Sequence, residues 1–250
     1  MSQQRAPSPC TTRDTVYQGR VTLVQPETGF RAGFDSLALA AGLPAMDKGE
    51  ALELGCGSGG ALLPAAFRLP GLVFTGVEQD ASAAALAREG AALNAFGTRV
   101  VIETDEAAGW AAAHENRFDL VFANPPYFEP GRISPPGEGK AGAYIESLPL
   151  EGWVKAMLFA AKPRAPVILI HRAAELARLL AQLDRRAGEI TVLPIASKPG
   201  EPARRVLVRA RKGLKRGPLT LLAPLVTHGA DGGARSGATQ RIAEGVGIDW

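Results

Sequence analysis

Asn124-Pro125-Pro126-Tyr127 follows a short apolar run made by Phe118, Leu120, Val121 and Phe122. The run reads as a buried strand. Consecutive prolines have no N–H to donate and hold the residue before them extended. The result is a stiff corner at the carboxyl end of a strand, where open α/β sheets take their ligands. The residue types there suit a planar group bearing an exocyclic amine. Such a nitrogen is a poor nucleophile, because its lone pair is delocalised. The side-chain oxygen of Asn124 and the carbonyl of Pro125 can accept both of its hydrogens. That draws the nitrogen toward tetrahedral geometry and localises the lone pair without a strong base. Tyr127 or Phe128 can stack on the planar group, worth about 1–3 kcal/mol per base. A packed Tyr at a proline-rich strand exit would show the same residues and no chemistry.

A second constellation lies earlier in the chain. Gly55-Cys56-Gly57-Ser58-Gly59-Gly60 separates a predicted strand, 50–54, from a predicted helix, 61–68. Glycines there let the backbone approach a ligand and adopt positive φ. The spacing satisfies both G-x-G-x-x-G and G-x-G-x-G, so it does not choose a ligand by itself. Three carboxylates narrow the choice. Glu53 sits just before the loop, where its charge opposes a dinucleotide phosphate and suits a cationic or amino-bearing ligand. Glu78, followed by Gln79, ends the next strand, where an acid can accept from ribose hydroxyls. Asp105, followed by Glu106, ends the third, where a carboxylate can accept from an adenine amine. Each has an ordinary alternative: a solvated strand-edge charge for Glu53, an NAD ribose for Glu78, a helix cap for Asp105.

The elements that must hold these residues are legible as an alternation. Strands are predicted at 50–54, 73–78, 100–104, 118–123 and 166–171, with helices at 61–68, 81–95, 106–114, 149–162 and 173–187 between or after them. Strands at about 189–195 and 204–210 close the series without an intervening helix, so one of them is expected to be antiparallel. The expected fold is α/β: a single Rossmann-like doubly wound sheet of about seven mostly parallel strands with an antiparallel last strand. Upstream, residues 17–24 suggest a hairpin or edge strand, and 25–30 a turn. Asp35-Ser36 is expected to cap a helix over 37–43. Residues 1–14 read as a disordered polar tail, 15–227 as the domain, and 228–250 as a Gly-rich, mostly irregular extension. The Gly/Pro-rich stretch 128–148 carries Arg132 and Lys140 and is long enough to be functional.

With 250 residues and 46% hydrophobic content, the chain can bury one full-sized core. It has no apolar run of about 18 residues and no secretory leader pattern, so neither a membrane span nor export is expected. Cys10 and Cys56 stand far apart in sequence and predict no disulfide framework, which favours a reducing cytoplasm. His114, His171 and His228 are dispersed, and no metal site is expected. Net charge is +3, but Lys198, Arg204, Arg205, Arg209, Arg211, Lys212, Lys215 and Arg216 crowd one segment. That segment could follow a phosphate backbone or form a solvated strand end.

Glu53-Leu-Gly-Cys-Gly-Ser-Gly59, Glu78, Asp105 and Asn124-Pro-Pro-Tyr127 together resemble the class I S-adenosylmethionine-dependent methyltransferases, and within them the amino-methyltransferases that modify adenine N6 or a glutamine amide. Gln25-Pro26 through Gly33-Phe-Asp35-Ser-Leu-Ala, and Arg204-Arg-Val-Leu-Val-Arg-Ala-Arg-Lys212, are similar to the bacterial valine-tRNA (adenine-37-N6)-methyltransferase family. The resemblance implies S-adenosylmethionine as cofactor. It implies the loop Gly55 to Gly59 under the methionine part, with Asp35 and Glu53 beside it. Glu78 and Gln79 would stand at the ribose, Asp105 and Glu106 at the adenine, and Asn124 at the target amine. It also implies an RNA substrate, most simply tRNA, held by Tyr127, Phe128, Arg132, Lys140, Arg204 and Arg205. A glutamine methyltransferase of the release-factor type shares Asn-Pro-Pro-Tyr. An NAD-dependent oxidoreductase or a catalytically silent RNA-binding protein are readings of other classes.

Overall fold

The computed structural model describes residues 11–29, 31–126 and 148–250. The chain opens with a hairpin, β1 (Thr11–Val16) and β2 (Val21–Pro26), paired antiparallel. The hairpin expected over 17–24 starts earlier, and its turn lies at 17–20, with Tyr17, Gln18 and Gly19 all at positive φ. Residues 11–14, expected in the tail, belong to β1, whose polar Asp14 accepts from Arg31 and Gln25. Helix α1 (Phe34–Ala41) starts earlier than expected. Gly33, not Asp35-Ser36, is its N-cap. Tertiary contacts claim both side chains: Asp35 pairs with Arg205 at 2.8 Å, and Ser36 is buried.

The alternation then runs as predicted: β3 (Gly49–Leu54), α2 (Leu62–Arg68), β4 (Leu72–Glu78), α3 (Ala81–Leu93), β5 (Val100–Thr104), α4 (Ala107–Ala112), β6 (Leu120–Ala123), α5 (Leu150–Ala160) and β7 (Pro166–Arg172). The helix expected at 173–187 is shorter. A 3-10 turn, Ala173–Glu175, precedes α6 (Leu176–Leu183), because β8 (Ala187–Ala196) already begins within the expected range. β9 (Arg205–Lys212) follows and is antiparallel to both β7 and β8.

The strands order as β5-β4-β3-β6-β7-β9-β8. Two short strands beyond the expected seven, β10 (Thr220–Leu221) and β11 (Leu225–Val226), pair parallel with β8. They cover an edge that would otherwise offer unpaired backbone groups. Residues 228–250, expected to be mostly irregular, include α7 (Gly237–Ala243), capped by Ser236. The chain then packs back on α1. Ile248 N donates to Ala41 O at 2.8 Å and Trp250 Nε1 to Gly42 O at 2.8 Å.

Two apolar layers sandwich the sheet. One joins Leu39, Leu62, Leu63, Phe74 and Phe122 beneath α1, α2 and α3. The other joins Leu52, Leu54, Trp110, Phe118, Val121 and Trp153 beneath α4, α5 and α6. Burial on both faces is why these strands read as near-continuous apolar runs. Among the described residues no helix is long and apolar enough to cross a membrane.

Candidate functional site

Parallel register brings the predicted residues to one edge. Leu54 stands opposite Val77 on one side and Ala123 on the other, and Glu78 stands opposite Thr104. The turns that follow, at Gly55, Gln79, Asp105 and Asn124, therefore sit side by side at the carboxyl edge of the sheet. Gly55, Gly57 and Gly59 have φ of +70°, +54° and +85°. The loop is tied down by Gly55 N and Cys56 N, which donate to Val77 O at 2.8 and 3.1 Å. Glu78 fastens it from the other side: its Oε2 accepts from Gly57 N at 2.8 Å and its Oε1 from Asp80 N at 2.9 Å.

Space around the loop is close-fitting. A Cβ on Gly55 would come within 2.7 Å of Trp153 Cη2, and one on Gly60 within 2.6 Å of Ala32 Cβ. Ala32 is positioned by the buried Gln25, whose Oε1 accepts from Ala32 N at 2.6 Å. Trp153 and Gln25 were not singled out from the sequence. Trp153 looks like any apolar position of an amphipathic helix, and no local pattern ties Gln25 to the loop. The Cys56 thiol packs in the core: a Cβ on Gly76 would lie 2.8 Å from its Sγ. Its backbone N and O are engaged by Val77 O and Gly59 N. Ser58 is buried, while Gln79, Asp105 and Glu106 are exposed. The Glu106 carboxylate caps α4 by accepting from Ala108 N and Gly109 N at 2.8 and 2.7 Å, the capping role considered for its neighbour. Asp105 Oδ1 accepts from Glu106 N at 2.7 Å, and its own N donates to Glu78 O.

Glu53 carries the sharpest electrostatic signal. It is 2% exposed, and its Oε2 has no hydrogen-bond partner among the described residues. Burial, followed by the charge of Glu78, pushes its pKa well above the ordinary carboxyl value, against a hydrogen bond from the Leu62 backbone. An unpartnered buried carboxyl is costly unless a ligand completes it. A cationic donor such as a ligand ammonium would do so, as Glu53 suggested from its place before the loop. Trp153 Nε1, on the helix against Gly55, is likewise buried and unpartnered among the described residues. The residues present thus fit a ligand with an ammonium near Glu53 and hydroxyls near Glu78.

Asn124 is half-buried at the end of β6, Pro125 is buried and Pro126 exposed. Tyr127, Phe128, Arg132 and Lys140 lie outside the described residues. The basic segment divides. Arg205, preceded by Arg204, begins β9 at the carboxyl edge of β7, whereas Arg211 and Lys212 end it roughly 23 Å away at the strand rise of about 3.3 Å per residue. The distal side chains are engaged: Arg211 pairs with Glu189, Arg216 with Asp184, and Lys212 Nζ bonds Asn116 Oδ1 and the carbonyls of Phe159 and Ala161. Among the described residues no group of three or more His, Cys, Asp or Glu could hold a metal ion.

Comparison with known proteins finds methyltransferases. The family model "Methyltransferase small domain" matches residues 31–135. The tRNA1(Val) (adenine(37)-N6)-methyltransferase of Salmonella enteritidis is 39% identical over 102 residues, 40% of this chain and 42% of that protein. The chain thus matches less than half the length of such curated relatives. The crystal structure of a predicted O-methyltransferase from Agrobacterium tumefaciens superposes with a TM-score of 0.71 and 26% identity, covering 86% of this chain and 98% of that one. TYW2 of M. jannaschii, crystallised with AdoMet, superposes with a TM-score of 0.59 at 12% identity, over 85% and 90% of the two chains, and speaks for the fold alone. Residues 31–135 are thus similar to the methyltransferase small domain, and the chain shares its fold with the Agrobacterium protein and with TYW2.

Proposed function

We propose that this chain is an S-adenosylmethionine-dependent N-methyltransferase acting on the exocyclic N6 amine of an adenine in RNA, with cytoplasmic tRNA as the substrate. The observation that carries the reading is a juxtaposition. Asn124-Pro125-Pro126 leaves β6 directly beside the strand whose end holds the glycine loop and the buried Glu53 carboxyl, whose Oε2 has no partner among the described residues. The names of the curated relatives support an adenine amine as the target. The name of the Agrobacterium neighbour specifies an oxygen target, for which an amide and a carbonyl accepting two hydrogens have less use.

In this reading Glu53 takes the ammonium of the donor, with Asp35 and the backbone of Cys56 and Ser58 nearby. Glu78 and Gln79 take the ribose, and Asp105 with the Glu106 backbone takes the adenine. When bound, S-adenosylmethionine supplies a methyl group made electrophilic by its positively charged sulfur. The chain's own task is then mainly positioning, which can be worth about 7–11 kcal/mol. Asn124 Oδ1 and the Pro125 carbonyl accept the two amine hydrogens, aim the nitrogen lone pair, and give the surplus proton a path to water. Tyr127 or Phe128 stacks on the base, which must be turned out of its loop to reach the corner.

The test is incubation with methyl-labelled donor and bulk tRNA, followed by nucleoside mass spectrometry. The expected product is N6-methyladenosine. Label appearing only in a glutamine of a protein substrate would move the chain to the release-factor type. Stabilisation by NAD but not by S-adenosylhomocysteine would overturn the cofactor assignment.

A further inference from the structure

A second cavity, of about 520 Å³, opens beside the glycine loop and is walled by residues from both ends of the chain. Ala32 is shared: it lines this cavity and stands where a Cβ on Gly60 would fall. The two sites are therefore separated by a single chain segment, 32–37. The opposite wall is the C-terminal segment, which looked like an irregular extension. Thr227 N donates to Ala196 O at 3.0 Å and His228 N to Ser197 O at 2.9 Å, so the end of β8 holds it in place. His228 and Arg235 then pair in an antiparallel bridge, with Ser236 N returning to Thr227 O at 2.9 Å. Residues opposite one another in such a bridge project to the same side, and both line the cavity.

Arg204 stands just before β9 and Arg205 at its start. Against Arg204, Arg205 and Arg235, the acidic side chain on the described wall is Asp35, paired with Arg205 at 2.8 Å. Three guanidinium groups from two segments leave a positive balance, and such groups match phosphate oxygens in geometry as well as charge. The rest of the wall includes Val16, Phe34, Leu37 and Ile242. A volume in the range of small-molecule pockets, about 300–1,000 Å³, exceeds what a bare ion needs.

We propose that this cavity is a subsite for a phosphate-bearing nucleotide of the substrate RNA, neighbouring the adenine held at Asn124, and that the C-terminal segment supplies part of it through Arg235 and His228. The assignment rests on the RNA-methyltransferase reading above. The apolar wall packs against the sugar or base while Arg204 and Arg235 hold the phosphate. Arg205 is kept in place by Asp35 and adds charge.

The test compares the full chain with the Arg204→Gln/Arg235→Gln double variant in salt-titrated tRNA binding. Both arginines are exposed, so the fold is expected to survive. The expected result is tRNA binding weaker on the order of tenfold, with the log–log salt slope reduced by about 1. Thermal stabilisation by S-adenosylhomocysteine stays as in the parent, and Arg204→Lys/Arg235→Lys keeps most of the slope. If the Gln variant binds tRNA with unchanged affinity and slope, the subsite is overturned, even if the parent methylates tRNA. If the parent transfers no methyl to tRNA yet the variant loses the slope, the reaction assignment falls and the subsite stands. Inorganic phosphate is the second probe. Saturable stabilisation of the parent that the Gln variant lacks, with tRNA binding unchanged, would assign the cavity to a free phosphate and overturn the RNA proposal.

Discussion

Replacing Glu53 by Gln separates the two roles of its buried carboxyl, a liability in the fold alone and an asset once a cation arrives. Burial first, and the Glu78 charge second, raise its folded pKa well above the ordinary 4.5. A raised carboxyl pKa means that the folded chain keeps a proton the unfolded chain has released. Stability contributed by that proton is fully present below the unfolded pKa and is lost as pH rises toward the folded pKa. Inside the window one proton is worth about 1.4 kcal/mol per pH unit. At about 2–4 °C per kcal/mol for a domain of this size, the parent's midpoint should fall about 3–6 °C per unit relative to the variant. His171 works in the opposite sense. Burial lowers its pKa from 6.5, so stability rises with pH up to that value. It is common to both proteins, and the difference between them isolates Glu53.

The assay is thermal unfolding of parent and Glu53→Gln from pH 5 to 8, with and without S-adenosylhomocysteine. Without ligand the variant should be the more stable, by a margin that widens with pH. With ligand at about a hundred times its Kd, the parent should gain about 2.7 kcal/mol. The variant, lacking a carboxylate for the ammonium, should lose most of that gain. Parallel pH curves would refute the buried-carboxyl argument, and an undiminished ligand shift would refute its role in binding.

Asn124→Ala should lower kcat about a hundredfold or more, the scale of removing one positioned polar group. Isothermal titration should find S-adenosylhomocysteine binding nearly intact, and an equal loss of that affinity would remove Asn124 from the amine site. Gly55→Ala places a Cβ at φ +70° and 2.7 Å from Trp153 Cη2. It should cost about 1–2 kcal/mol in urea unfolding from backbone alone, and more from the clash, with the excess relieved by pairing it with Trp153→Leu. Trp250→Ala loses the bond to Gly42 O and the stacking of Arg209, whose guanidinium sits 4.7 Å from the ring centroid. A loss of about 1–3 kcal/mol is expected, and a variant as stable as the parent would show that the C-terminal segment adds nothing to the fold.

What the sequence determined by itself was the alternation and the row of strand-end residues. Apolar runs of strand length, each broken by Gly, Asp, Asn or Pro and followed by an Ala- or Leu-rich helix, are local signals. Parallel pairing then carries every strand end to the same edge, so Glu53, Glu78, Asp105 and Asn124 become neighbours without long-range information beyond the fold class. Tertiary structure decided whatever depends on partners distant in the chain. Asp35 and Ser36 look like a helix cap, but Arg205, 170 positions away, takes Asp35. Basic residues 204–216 look like one patch, yet an extended strand carries half of them to the far edge, where carbonyls and carboxylates hold them. Residues 228–250 look like a loose tail because glycine and polar side chains have no periodicity. Their order comes from backbone bonds to β8 and α1, which no local pattern announces. Side-chain periodicity records which face of an element meets the core. Which residue of another element waits there is settled only when the chain has closed.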